Sequence, residues 1–274
     1  MEYADLHIHS IYSDGKLSVK SIIKYASELH LKTISITDHD TIEGLKEPII
    51  SQSHLSLEIV PGVEFSTVYK GQEIHILGYY FDINNEKLNQ LLGILQHSRR
   101  QRAMEIAKKL KHVGIPIMEE DLDQVNHGYS VGRPHIAQII VNKGFALDYN
   151  DAFHKYLLPG TQGYVPRYKL ASKDAIEVIK GAGGISVLAH PGLIKDQSLI
   201  QEILTLDIDG IEVYHTKHTS QHVRHYYCLS KENDLLITGG SDCHGNKPFQ
   251  KPFIGSTKIP NVYVDQLKIR NREI

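Results

Sequence analysis

Tyr3-Ala4-Asp5-Leu6-His7-Ile8-His9-Ser10-Ile11-Tyr12-Ser13-Asp14-Gly15 is the stretch from which the fold can be read. Its apolar centre, Leu6–Ile8, reads as a strand, and alternate residues of a strand share a face. Asp5, His7 and His9 then point one way and Leu6 and Ile8 the other. Two imidazoles two residues apart at a strand end can hold one metal ion. Asp5 beside them can orient a ring N–H, and Asp14 adds a carboxylate on the following loop. A surface strand with an incidental histidine pair would read the same, so the rest of the chain has to decide.

Further apolar runs follow: Thr33–Thr37, Leu57–Val60, Glu73–Phe81, Ile185–Ala189, Gly210–Tyr214 and Leu235–Thr238. Helical patterns lie at Val19–Leu29 (capped by Ser18), Thr41–Ser53, Gln197–Thr205 and His218–Glu232. Strands alternating with helices imply βαβ units and a mainly parallel sheet, an α/β class. Pro61-Gly62 reads as the end of the third run. Between Asn85 and Val165 the strand signals stop. Leu88–Val113 reads as a long helix stopped by Gly114, with Pro134–Lys143 and Tyr149–Leu157 as shorter ones. The expectation is a barrel-like body, 1–84 and 166–274, with a helical insertion, 85–165, closing over one end.

Seven segments each bring an acid or imidazole to the end of an apolar run. They carry His7 and His9, Asp14, His39, Glu64, His75, His190, and Asp242 with His244. In barrels and open α/β sheets such ends share one rim, where active sites form. The pattern predicts a metal site with several ions. Composition agrees: the 274 residues include 17 histidines and only 2 cysteines, so metal would be held by imidazole and carboxylate. The cysteine count excludes a disulfide scaffold, and both thiols are expected to be reduced. The net charge of −2 excludes a chain-wide polycation, so long duplex nucleic acid is not an expected partner. No stretch approaches ~18 consecutive apolar residues, and the N-terminus lacks an apolar targeting segment. A cytoplasmic location without membrane contact is expected.

In this order, DLHIHSIYSDG, TDHD, PGVE, the histidine of EIHILG, AHP and GSDCHG resemble the motifs of the PHP (polymerase and histidinol phosphatase) superfamily, from Tyr3 to about Gly255. The resemblance implies a distorted (β/α)7 barrel with two to three divalent metals (Mn, Fe or Zn) at the rim. It assigns His7, His9, Glu64 and Asp242 to a first metal. Glu64 with His75 and His190 would hold a second, and Asp14, His39 and His244 a third. Some relatives have His where Asp14 stands. Phosphate esters repel hydroxide unless cations neutralise them, and two ions ~3.5–4 Å apart can activate a bridging water. A metal-bridged hydroxide attacking phosphorus, without a covalent enzyme intermediate, is the expected mechanism.

GRPHIA (132–137) within the insertion resembles a branch acting on nucleoside phosphates and short RNA. Arginine suits phosphate because its planar fork donates twice. Arg133 is the expected clamp and His135 its neighbour. Arg99 and Arg102 read equally well as substrate contacts or as a solvated helix face, and Arg167 can re-enter the site where the insertion ends. The implied substrates are a nucleoside 3′,5′-bisphosphate losing its 3′-phosphate, or short 5′-phosphorylated RNA trimmed from the 5′ end. A histidinol-phosphatase-like enzyme and a non-catalytic binding module are the alternatives. Glu212 reads as packing, support or substrate contact, and His218, His222 and His225 as a solvated helix face near His215 rather than a further metal patch. The sequence does not decide the oligomeric state.

Overall fold

The computed structural model describes residues 2–47, 56–126, 130–245 and 253–273. Eight strands occur among them: β1 (Tyr3–Ile8), β2 (Thr33–Ile36), β3 (Glu58–Tyr69), β4 (Gln72–Tyr79), β5 (Ile185–Leu188), β6 (Gly210–His215), β7 (Leu236–Gly240) and the short β8 (Ile259–Pro260). They form one sheet in the order β7-β6-β5-β4-β3-β2-β1-β8. At the rim β1 also meets the far edge of the sheet. His9 N–H donates to Cys243 O (2.9 Å) and Asp242 N–H to His7 O (2.8 Å). Gly240 permits this approach, since a Cβ there would lie 2.4 Å from His7 N. The result is a nearly closed seven-stranded barrel with β8 set antiparallel against the start of β1.

The expected parallel pairing holds for β1-β2-β3 and β5-β6-β7, whereas β4 runs antiparallel to both its neighbours. The cause is local. Lys70 and Gly71 both have positive φ (45° and 83°), the geometry of a two-residue hairpin turn. The reversal carries His75, near the start of β4, to the rim that the other strands reach at their ends. β3 also runs on through Pro61-Gly62 instead of stopping there. It pairs with β2 up to Pro61 and with β4 from Gly62, so the proline sits at the change of partner.

Nine helices occur among the described residues: α1 (Val19–Glu28), α2 (Glu86–His112), α3 (Glu119–Asn126), α4 (Arg133–Asn142), α5 (Tyr149–Ala152, continued by a π-helical turn, Phe153–Leu157), α6 (Ser172–Gly181), α7 (Ser198–Leu204), α8 (Ser220–Glu232) and α9 (Val262–Glu273). None is long and apolar enough to cross a membrane. Of the helix read at Thr41–Ser53, the described part holds only a 3-10 turn at Glu43–Lys46, and residues 48–55 lie outside the described set. The helix α1 is capped as expected, Ser18 Oγ accepting from Ser21 N–H. α3, α6 and α9 carry no expectation from the sequence.

The apolar residues fall into three clusters. One packs the helices onto the barrel, a second includes Leu6, Val60, Leu77 and Val187, and the third belongs to the segment from Ala103 to Val165. α2 serves two of them. Its first half gives Leu88, Leu92 and Leu95 to the barrel cluster, and its second half gives Ala103, Ile106 and Leu110 to the third. Arg99 and Arg102 lie where the helix passes from one to the other.

Candidate metal centre and phosphate site

Glu64, 1% exposed, is the hub of the rim. Its Oε2 lies 3.2 Å from His7 Nε2, 3.2 Å from His9 Nε2 and 3.1 Å from His39 Nδ1. Its Oε1 lies 2.8 Å from His75 Nδ1 and 2.9 Å from His190 Nε2. Asp242 Oδ1 approaches His9 Nε2 to 3.2 Å, and Asp14 Oδ1 approaches His244 Nε2 to 3.2 Å. All nine residues read from the sequence thus meet at one place. Their donor atoms gather in three overlapping groups: His7, His9 and Asp242; His39, Glu64 and His75; and His9, Asp14, His39 and His244. His9 and His39 are each shared, a more interleaved arrangement than three separate sets. His190 falls in none of the groups, but its Nε2 contact with Glu64 keeps it beside the second.

The donor set fits divalent cations. Both ring nitrogens of His9, His39 Nδ1 and Asp14 Oδ1 are buried with no hydrogen-bond partner among the described residues. Such orphans are costly unless something else satisfies them, and here imidazole and carboxylate lone pairs converge. The field points the same way. Burial pushes the carboxyls of Glu64, Asp14 and Asp242 up, but the imidazoles around them prevail and hold all three well below the usual range. Burial also opposes charge on His75, yet the charge of Glu64 raises it to about 9. Burial, with the neighbouring His9 and His75, outweighs Glu64 and Asp14 and lowers His39 to about 3. Positive charge is what this rim attracts.

The ligand-type side chains are held by residues the sequence reading left without a fixed role. Glu212, fully buried on β6, accepts from His7 Nδ1 (3.0 Å) and from His190 N–H (2.7 Å). This leaves His7 Nε2 for the cluster. Asp5, expected to orient a ring N–H, does not: its carboxylate takes the backbone N–H of His7, Ser241 and Gly255. The β1–β7 closure brings the Ser241 amide to it, beside the amides of its strand neighbour His7 and of Gly255. Asp38 accepts from Ser10 N–H, Ser10 Oγ and Ser13 Oγ, which shapes the loop that delivers Asp14. His215, at the end of β6, was unassigned and proves buried, with Nε2 3.2 Å from Asp242 Oδ2. His218 precedes α8 and is not on a solvated face. Its Nδ1 donates to Val213 O and its Nε2 accepts from Gly192 N–H, bracing the turn after His190. Cys243 points into the core, and neither cysteine forms a disulfide among the described residues. His190 and Asp242 have φ of 27° and 53°, left-handed values that non-glycine residues hold only under local constraint.

Above the cluster lies a pocket of about 150 Å³ lined by Asp14, His39, His75, Arg99, Arg102, Arg133 and Arg167, among others. Arg99 donates to Asp40 Oδ2 (2.7 Å) and Ser66 Oγ (3.0 Å), which aims it at the rim instead of solvent. Arg102 Nε donates to Val165 O (2.9 Å). Arg167 Nη2 donates to Glu73 Oε1 (2.7 Å), while its Nη1 is buried without a partner among the described residues. Arg133 lies over the Phe153 ring, 5.9 Å from its centroid. The four charges are only partly neutralised. Burial first, then the neighbouring Arg133, Arg167 and Arg99, lower Arg102 to about 10. His135, expected beside the clamp, sits two residues after Arg133 on the first turn of α4. It is buried, and its Nδ1 accepts from Gly132 N–H (2.9 Å), fixing the first turn of α4 behind Arg133. A histidine three residues into a helix can cap it from that position, and this one does.

Comparison with known proteins agrees with the geometry. The PHP domain family model matches residues 5–177. The 5′-3′ exoribonuclease Rnm of Escherichia coli is 35% identical over 89% of this chain and 86% of its own. A 3′,5′-nucleoside bisphosphate phosphatase of Chromobacterium violaceum is 30% identical over 89% of this chain and 88% of its own. Among solved structures, a putative metal-dependent phosphoesterase from Bifidobacterium adolescentis superposes with a TM-score of 0.87 at 27% identity, covering 97% of this chain and 96% of that one. The chain belongs to the PHP domain family. Fold, donor set and kinship together define a hydrolytic enzyme, a metal-dependent phosphoesterase.

Proposed function

We propose that this phosphoesterase removes the phosphate attached to O3′ of a nucleotide whose 5′-phosphate is held by the arginine wall. The observation that carries the reading is the gathering of Arg99, Arg102, Arg133 and Arg167 around one pocket beside the cluster. A nucleoside 3′,5′-bisphosphate and the first nucleotide of a 5′-phosphorylated RNA both present two phosphates to such a site. The relatives named as a bisphosphate phosphatase and an exoribonuclease support the same pair of substrates. Long duplexes do not fit a pocket of this size with few free cations.

The nine rim residues would hold two to three ions of Mn, Fe or Zn character, chosen by a nitrogen and oxygen donor set without thiolate. Such ions, when bound, neutralise the phosphate and lower the pKa of water towards ~7. The chain's own part is placement. Glu212 fixes the tautomer of His7, and Glu64 sets the spacing of five imidazoles. Arg133, the one wall arginine with no carboxylate or carbonyl partner among the described residues, is free to pair with the 5′-phosphate. The segment 85–165 acts as the substrate cap, and the enzyme works in the cytoplasm.

Assay of metal-loaded protein against a 3′,5′-bisphosphate, a 5′-phosphorylated oligoribonucleotide and histidinol phosphate tests this. Turnover of the first two is the expected result. Preference for histidinol phosphate, or turnover of none, would replace the reading with a phosphomonoesterase or a binding module.

A further inference from the structure

The cluster is flanked by a second recess whose lining holds none of the four arginines. A groove of about 580 Å³ runs from His75 and His190 past Gly71, Gln72, Leu193, Ile194 and Lys195 to Pro159. It is nearly four times the size of the arginine pocket, and the two recesses share His75 and Glu73. They meet at the cluster, so a phosphate held there has one recess on each side. The walls are tied together: Asp196 N–H donates to Gln72 Oε1 (3.3 Å) across the groove's outer edge.

Its chemistry differs from that of the pocket. Leu193 is 41% exposed, and Pro159 and Lys195 are exposed as well. Lys195 forms no ion pair among the described residues. The groove's carboxylate, Glu73, is already neutralised by Arg167 (2.7 Å) and His75 (3.0 Å). An apolar shelf ending in one free ammonium suits a flat, uncharged ring followed by a single anionic group.

We infer that this groove seats the nucleoside that follows the reacting phosphate in a single-stranded oligonucleotide, with Leu193 and Pro159 under its base and Lys195 on its own 3′-phosphate. The inference rests on the function proposed above and narrows it to chain substrates. A bisphosphate fills only the cluster and the arginine pocket. An oligonucleotide fills those and the groove, because its reacting phosphorus carries one more nucleoside.

A length ladder separates the cases: a 3′,5′-bisphosphate, then 5′-phosphorylated di-, tri- and tetranucleotides, with the manganese-loaded full chain. KM should fall about tenfold from the bisphosphate to the trinucleotide, equivalent to ~1.4 kcal/mol, and then level off. Lys195→Glu and Leu193→Asp, both at exposed positions, should flatten the ladder. Anisotropy of a labelled trinucleotide in excess chelator should show the same loss of binding without turnover. A ladder that is flat in the wild type, or one that both variants leave intact, overturns the groove while the phosphoesterase reading stands. Equal losses at every length overturn it too. If no rung is hydrolysed, the underlying reading fails and the groove falls with it.

Discussion

The floor and the wall of this site are built on opposite principles. The floor is closed and over-determined: Glu64 is ringed by five imidazoles, and Glu212 and Asp38 hold residues that surround it. The wall is part-exposed and comes from three separate segments, with Arg99 and Arg167 leaning on the barrel carboxylates Asp40 and Glu73. A buried charge cluster must be matched atom for atom because water cannot screen it. A phosphate clamp at a mouth can be assembled from long side chains that adjust. Under the proposed function, chemistry would be fixed in the barrel and substrate choice left to the arginines that reach over it.

The comparison breaks first at the hub. Glu64→Gln keeps the shape but removes the negative charge that faces five imidazoles. Metal content, measured by elemental analysis, should drop, and kcat/KM should fall by more than the ~100-fold seen for residues that only support ligands. Circular dichroism should show the fold retained. Full metal content in this variant would remove Glu64 from the centre.

Arg133→Ala tests the wall against that floor. It deletes charge-assisted hydrogen bonds worth about 1.5–3 kcal/mol, so KM for a 5′-phosphorylated substrate should rise about 10- to 100-fold. Metal content should not change, and a phosphodiester lacking the 5′-phosphate should hardly notice. Equal effects on both substrates would make Arg133 a general electrostatic contributor instead of a clamp.

The same division explains what was legible in the sequence. Floor residues sit at the ends of short apolar runs, so a strand pattern and its order locate them without coordinates. His75 was found in spite of the reversed β4, because the hairpin turn returns it to the same rim. The supporting residues were harder. Glu212 and His215 lie on β6 without a flanking motif, and their roles depend on contacts with His7 and Asp242 far away in sequence. Of the wall, Arg133 was legible from the GRPHIA segment and Arg167 from the end of the insertion, but Arg99 and Arg102 only as arginines on a helix. The inward direction of Arg99 is set by Asp40, which a helical pattern does not reveal, and the capping bond of His135 Nδ1 is likewise invisible in the motif that carries it.

Glu212→Gln sharpens the floor by separating holding from binding. The amide can still accept from His7, but the charge that favours its Nδ1 proton is gone. Metal affinity should weaken about tenfold, the low end for residues behind a ligand, as read by chelator competition. KM for the loaded enzyme should move little. A loss as deep as that of Glu64→Gln would place Glu212 among the ligands.

The smallest effect belongs to Arg100, and it tests whether the wall is a built pocket or a diffuse positive field. Arg99 and Arg102 are three apart on α2 and share a face, whereas Arg100 is turned away and pairs with Glu119 and Asp123 of α3. Exposed ion pairs of this kind contribute roughly 0–1 kcal/mol. Arg100→Ala should therefore lower Tm only slightly and change kcat/KM less than about twofold, since added salt already screens a charge at that distance. If Arg100→Ala instead raised KM as Arg133→Ala does, net charge on the helix would be steering the substrate. The contacts that aim Arg99 and Arg167 would then be incidental to recognition.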